Sequence, residues 1–354
     1  MTLSSFIAPY LTLWHLQMLV VYILANCALP WYVIWYNQRL KPVEGREAEK
    51  FQPFVRIDIH QWSYLRCIFT HFFLLPRLLG VLSFFAIVLG GVLILSIGAK
   101  LDENMSDTRR WLISEYVALC MRLFSPIWGV VYYRNRRPKV DYSKWLGPNW
   151  EPTYDGATML VCNHQSWYDI VMTFLFVRPM PGFIAKTSIK RIPAVGAAAT
   201  AIGSIFFDRR DRTRRNEVFE LIKEKQDLAE KKLAGPLLLY PEGCSTNGES
   251  LAKFKKGAFA NLKPVKPLVI RCDALIGCAS RGCLMGIFHW FILIPCMNVF
   301  VWPELLEMPI FAPNAYFWSK YWDGKNEEDK WKVFAEAVRE AMAECGGLKL
   351  SDSS

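Results

Sequence analysis

The sequence predicts an α/β fold: a mixed, largely parallel sheet flanked by helices, preceded by an N-terminal helical membrane-anchoring region. Two apolar runs that stop abruptly at polar, turn-forming residues carry the first part of that reading. One ends at Cys162 and is followed by Asn163-His164-Gln165-Ser166-Trp167-Tyr168-Asp169; the other ends at Leu239 and is followed by Tyr240-Pro241-Glu242-Gly243-Cys244-Ser245-Thr246-Asn247-Gly248. A buried strand that delivers polar groups to the edge of a sheet has this form. The second observation is the regular alternation of short strand-like runs with helical ones beyond residue 150. The third is an N-terminus with no charged side chain before Arg39.

Leu11 to Tyr36 is long enough to span a bilayer, with Trp14, Trp31 and Trp35 near its ends and Pro30 positioned to kink or end a helix. It lacks the basic start and small-residue cleavage site of a signal peptide, so a retained anchor is expected. Leu78 to Ile97, bracketed by Arg77 and Lys100, is the cleaner span. Basic residues lie both between the two stretches and after the second, at Arg134, Arg136, Arg137 and Lys139. The positive-inside rule therefore leaves a shallow hairpin and two full spans equally open. Tyr116 to Tyr133, broken by Arg122 and Pro126, reads as an interfacial or packing helix.

Turn-forming residues from Leu146 to Pro152 open the second part, and the division expected is 1–140 for the anchor and 141–350 for the catalytic domain. Expected strands are Thr158–Cys162, Gly182–Ala185, Ser204–Phe207, Pro236–Leu239, Leu268–Arg271 and Asn298–Trp302. Thr213 to Lys232 sets Val218, Leu221, Ile222 and Leu228 on one face of an amphipathic helix. Cys283 to Trp302 reads as a membrane-facing helix running into a core strand. A last helix is capped by Asn326 and stopped at Gly346-Gly347, leaving a frayed tail from Leu348.

The chain of 354 residues is 53% hydrophobic with a formal net charge of +10, which suits a protein on an anionic membrane handling acidic substrates. Nucleic acid is the competing reader of that charge, and no helix-turn-helix, zinc-finger or RNA-binding signature supports it. The ten cysteines form no C-x-x-C pair and no zinc-like grouping, and no calcium loop occurs, so no metal is expected. Reduced thiols are the default, with a disulfide open among Cys272, Cys278 and Cys283.

His164 and Asp169 are five residues apart, so a helix starting near Ser166 holds the carboxylate in its first turn and the imidazole in the loop before it. Such a carboxylate fixes the ring's tautomer and leaves the other nitrogen free to accept a proton. The remaining histidines, His15, His60, His71 and His289, have Val20, Leu65, Pro76 and Ile294 at that offset. A lone pair of this kind often arises by chance; the company it keeps decides its weight.

Four boxes in order, Asn163 to Asp169, Gly203-Ser204-Ile205-Phe206-Phe207-Asp208-Arg209, Tyr240 to Gly243 and Pro264-Val265-Lys266-Pro267, resemble those of the glycerophospholipid acyltransferase superfamily, the PlsC-like proteins. The resemblance runs from about Tyr154 to the C-terminus. It is greatest to the branch acting on lysophosphatidylcholine and lysophosphatidylethanolamine. It implies acyl transfer from acyl-CoA to the free hydroxyl of a lysophospholipid at a membrane, with the endoplasmic reticulum and a cytosol-facing site expected, and no cofactor beyond the acyl-CoA co-substrate. His164 is then the base and Asp169 its orienting partner, with no covalent nucleophile required. Arg209, Glu242, Gly243, Thr246, Asn247, Pro267 and, more weakly, Lys186 are the implied substrate-binding set, with amides near Gly243 expected to steady the oxyanion. Ser245 stands where many relatives acting on lysophosphatidic acid have arginine, which favours a headgroup-bearing acceptor over a bare phosphomonoester. Three rivals remain: a lysophosphatidic acid or glycerol-3-phosphate acyltransferase, a thiol-dependent acyl hydrolase using Cys162 or Cys244 with His164, and a non-catalytic membrane scaffold.

Overall fold

The computed structural model describes residues 13–39, 51–55, 70–98, 105–165, 168–208, 215–274 and 300–353. Three long helices come first: α1 (Leu13–Arg39), α2 (Thr70–Leu95) and α3 (Asp107–Phe124). Neither proline ends its helix, since α1 continues past Pro30 and α2 encloses Pro76. Within α2, Leu75–Leu95 is the single stretch among the described residues long and apolar enough to cross a membrane. The apolar part of α1 is shorter than expected, reaching only from Trp14 to Ala28. Helix α3 folds back along α2, with Phe124 and Trp128 against Phe84 and the Tyr116 hydroxyl donating to the Ile87 carbonyl at 2.6 Å. Gly91 permits that contact: a Cβ there would lie 2.1 Å from the Tyr116 ring. The packing-helix reading of this segment holds up to Phe124, where a 3-10 turn at Ser125–Trp128 takes over.

The rest of the chain builds a sheet with helices on both faces. In chain order come β1 (Arg134–Arg136), β2 (Met159–Cys162), α4 (Tyr168–Phe176), β3 (Gly182–Lys186), α5 (Pro193–Ala201), β4 (Ile205–Phe207), α6 (Arg215–Glu230), β5 (Leu237–Leu239), β6 (Ser250–Leu251), β7 (Val265–Ala274), β8 (Val301–Glu307), α7 (Lys330–Gly346) and β9 (Lys349–Leu350). Seven strands lie in the order β1-β8-β7-β2-β5-β3-β4, every pairing parallel except β7 with β8. The mixed, largely parallel sheet is thus present.

Strand β2 shows why the fold is layered. Leu160 and Cys162 face a core shared with Phe84 and Val88 of α2, Val117 of α3 and Met172 of α4. Met159 and Val161 face a second core containing Ile222 of α6 and Phe334, Val338 and Met342 of α7. Period-2 alternation sends neighbours to opposite faces, and because both faces are covered the strand reads as continuous hydrophobe.

Several boundaries differ from the sequence reading. Strand β8 starts at Val301 and runs to Glu307, past the expected end, because its pairing with β7 continues to Leu268↔Glu307. The helix read over Cys283 to Trp302 falls almost wholly outside the described residues. Leu221 is exposed on α6, whereas Gln226 is buried and accepts from Asn261 Nδ2 at 2.7 Å. Strand β1 has no apolar pattern, being three residues of charge and amide; it pairs with β8, across the division placed at residue 140.

The C-terminal tail is not frayed. Strand β9 pairs with β6, and buried Arg339 donates to the carbonyls of Leu251, Ala252 and Ser351. Asn326 does cap, accepting from the Glu328 amide at 3.1 Å; a 3-10 turn intervenes before α7, which Gly347 ends at φ +61°.

Candidate active site

Strands β2, β5, β3 and β4 are parallel neighbours, so the residues after them emerge at one edge of the sheet. The spacing between strands, about 4.8 Å, sets the lateral scale. His164 follows β2 and Tyr240-Pro241-Glu242-Gly243 follows β5 next to it. Lys186 ends β3, one strand further, exposed and opposite Phe207 of β4. Arg209, two residues beyond β4, lies outside the described residues, as do Ser166 and Trp167.

The His164–Asp169 pair forms as the spacing implied. Asp169 sits in the first turn of α4, and its Oδ2 is 2.8 Å from His164 Nδ1 while accepting the Gln165 amide at 2.6 Å. The carboxylate is buried to 2% exposure, and the imidazole retains 19%. With the carboxylate as acceptor, Nδ1 carries the hydrogen and Nε2 is the nitrogen left to take a proton. Tyr240 stacks on the imidazole at 4.3 Å between centroids and 20° between planes. Its hydroxyl is 3.4 Å from Thr173 Oγ1, which in turn donates to the Asp169 carbonyl at 2.8 Å.

Glu242, expected in the substrate-binding set, is engaged with backbone through both of its oxygens. Its Oε1 accepts the His164 amide at 2.8 Å, its Oε2 accepts the Ala252 amide at 3.0 Å, and it is 1% exposed. On the other side of the same residue, the Thr246 amide and hydroxyl both donate to the His164 carbonyl, at 2.8 and 3.1 Å. The backbone of His164 is therefore held from both ends. Burial pushes Glu242 up to about 8; the donated amides of His164 and Ala252 oppose the rise and the charge of Asp169 adds to it.

Gly243 holds φ +76° and its amide donates to the Tyr240 carbonyl at 3.1 Å, closing the turn. That amide is therefore engaged within the loop. Asn247 is also a structural link. Its Nδ2 donates to the carbonyls of Gln52 and Val55 at 2.7 and 3.3 Å, and its amide to Pro53 at 2.6 Å. Pro267 is buried in β7 opposite Val161, accepting the Met308 amide at 3.1 Å, one strand from His164 but within the sheet.

Sequence reasoning did not single out Asn163, which exchanges two bonds with Ile270: Oδ1 accepts its amide at 2.7 Å and Nδ2 donates to its carbonyl at 2.9 Å. An asparagine side chain thus continues the β2–β7 ladder beyond the strand and fixes where His164 begins. Nor was Tyr240 assigned a role, although an aromatic residue between a strand and Pro-Glu-Gly was the available clue. Cys162 is fully buried, and burial, then the charges of Asp169 and Glu242, push its thiol well above the ordinary value. A thiol so held is a poor source of thiolate. Cys244 is exposed in the next loop. Among the described residues no group of side chains is arranged to hold a metal ion.

A histidine paired with a buried carboxylate at the end of a parallel strand, beside a strand-to-loop Pro-Glu-Gly turn, has the geometry of a general base held by an acid. Over residues 144–271 the chain matches the Acyltransferase family model. Curated proteins to which it is similar include lysophospholipid and lysophosphatidylcholine acyltransferases. Lysophospholipid acyltransferase LPEAT1 of Arabidopsis thaliana is 29% identical over 57% of this chain and 47% of its own length. LPEAT2 of the same plant is 35% identical over 45% of this chain and 28% of its own. Human lysophosphatidylcholine acyltransferase 2 is 25% identical over 56% and 34%. The matches span less than half the length of these relatives. The solved PlsC lysophosphatidic acid acyltransferase of Thermotoga maritima covers 79% of this chain and 98% of its own at 18% identity, with a TM-score of 0.46, too loose a superposition to weigh.

Proposed function

We propose that the chain transfers an acyl group from acyl-CoA to the free hydroxyl of a headgroup-bearing lysophospholipid. In this reading His164 Nε2 takes the hydroxyl proton as the lipid oxygen attacks the thioester carbonyl. The C–O bond forms, the C–S bond breaks, and the proton passes to the departing coenzyme A thiolate. Asp169 holds the ring's tautomer and stabilises the imidazolium that forms. Arg209 and Lys186 serve substrate phosphates, Lys186 from the same sheet edge as His164. Glu242, Gly243, Thr246 and Asn247 act through the loop that positions His164, and Pro267 through the strand beside it.

The observation that carries the reading is the 2.8 Å contact between His164 Nδ1 and a carboxylate that is itself buried and fixed. The site needs no cofactor beyond acyl-CoA, works at a membrane through the span in α2, and suits the cytosolic face of the endoplasmic reticulum, where acyl-CoA meets lysolipid. The test is purified full-length chain in nanodiscs, offered lysophosphatidylcholine, lysophosphatidylethanolamine and lysophosphatidic acid with acyl-CoA, beside His164→Ala. Diacyl product from the first two acceptors, lost in the variant, is expected. Rapid turnover of lysophosphatidic acid alone would overturn the acceptor class, and an active His164→Ala would overturn the mechanism.

A further inference from the structure

The outer face of α3 carries Trp111, Leu112, Leu119 and Leu123, all exposed. At 100° per residue these fall within a sector of about 120°, and Glu115 and Arg122 fall inside the same sector. Leu79, Leu82, Leu93 and Ile94 are exposed on α2, the helix along which α3 packs. An exposed apolar helix face packed beside a candidate span is the kind that lies against lipid.

Arg178, in the turn after α4, meets this face. Its Nη1 donates to the carbonyls of Phe174 and Val177 at 2.8 and 2.7 Å, which fixes the guanidinium. Nε and Nη2 are buried and have no hydrogen-bond partner. The carboxylate of Glu115 stands 3.7 Å from Nε, close enough to pair in charge and too far to bond. Burial, and then the like charge of Arg122, hold Arg178 below the ordinary arginine value, while Glu115 acts the other way. Arg178 thus has one half-engaged carboxylate, with the like charge of Arg122 close by on the same helix as Glu115.

We propose that Arg178 and Arg122 form a binding site for the phosphodiester of a bilayer phospholipid, between the end of α4 and the outer face of α3. A phosphate replaces Glu115 over Arg178 and takes the two unused donors, as planar guanidinium groups do with forked oxyanions. The acyl chains lie along Leu119 and Leu123. Beside a candidate span the anion at hand is a lipid phosphate, and basic pockets next to membrane helices bind such headgroups. The site is separate from His164, since Arg178 leaves α4 at the end opposite Asp169, and it does not rest on the acyltransfer reading.

Full-length chain in detergent is titrated with dioctanoyl phosphatidylglycerol, following thermal unfolding and bound lipid by native mass spectrometry. The parent should show saturable stabilisation. Arg122→Gln, an exposed substitution, should weaken apparent affinity about tenfold or more, as loss of a charge-assisted contact does. Glu115→Gln should tighten it, a change of opposite sign that a merely structural role would not produce. Parent affinity in both variants would overturn the proposal. So would inorganic phosphate reproducing the whole shift at equal concentration, which would mark an aqueous anion site. Acyl transfer to a water-soluble acceptor falling in step with lipid affinity would place the lipid in the acceptor pocket and also refute it.

Discussion

Asp169→Asn is the sharpest perturbation of the site. Two donors converge on Oδ2, the His164 ring at 2.8 Å and the Gln165 amide at 2.6 Å. An asparagine that turned its NH2 toward them would set donor against donor, so the amide oxygen takes the place of Oδ2 and the tautomer of His164 is kept. What disappears is the negative charge beside the imidazolium that forms during proton transfer. Two unit charges at that separation attract by about 6 kcal/mol at an effective dielectric of about 20. The asparagine dipole retains part of this, leaving a loss of about 2–4 kcal/mol, or about 30- to 1000-fold in kcat. The assay is product formation from lysophosphatidylethanolamine and oleoyl-CoA in nanodiscs, with unfolding temperature checked alongside. KM for acyl-CoA should stay within about threefold, because the lost interaction matters chiefly in the transition state. His164→Ala combined with Asp169→Asn should be no slower than His164→Ala alone. A folded Asp169→Asn enzyme within threefold of parent, or a double variant slower by the product of the two losses, would refute the reasoning.

Glu242 makes stability depend on pH. Its native value of about 8 lies above the ordinary 4.5, so between the two the folded protein binds more protons than the unfolded chain. Its contribution is complete below about 4.5 and is lost as pH rises through about 8, at up to about 1.4 kcal/mol per unit. Unfolding temperature measured from pH 5 to 8 should therefore fall more steeply in the parent than in Glu242→Gln; parallel curves would contradict the assignment. Asn247→Ala removes the donor to the Gln52 and Val55 carbonyls. Chymotryptic cleavage beside the exposed Phe51 and Phe54 should accelerate, with about 1–3 kcal/mol of stability lost; an unchanged digestion pattern would show that the link does not hold the segment. Cys162→Ala and Cys244→Ala should each keep acyl transfer within about threefold, whereas abolition by either would bring a thiol into the mechanism.

The His164–Asp169 pair was legible because its geometry is local: five residues across a loop-to-helix junction leave few ways for the side chains to be arranged. The sheet's core strands were legible for a related reason, since strands covered on both faces read as unbroken apolar runs. Strand β1 and the docked tail were not, as Arg134–Arg136 and Lys349–Leu350 have no hydrophobic pattern and owe their place to β8 and β6.

The linear chain alone thus settled which residues meet over short separations and which segments avoid water, because both follow from neighbouring side chains and the period of burial. Tertiary structure alone decided what Glu242, Thr246, Asn163 and Asn247 hold. Their partners lie 78, 82, 107 and 195 residues away, and only closure of the parallel sheet brings a carboxylate after β5 against the backbone of a histidine after β2. For the same reason the bracing role of Glu242 could not be read from its motif: a buried carboxylate needs donors within reach, and the fold supplies amides.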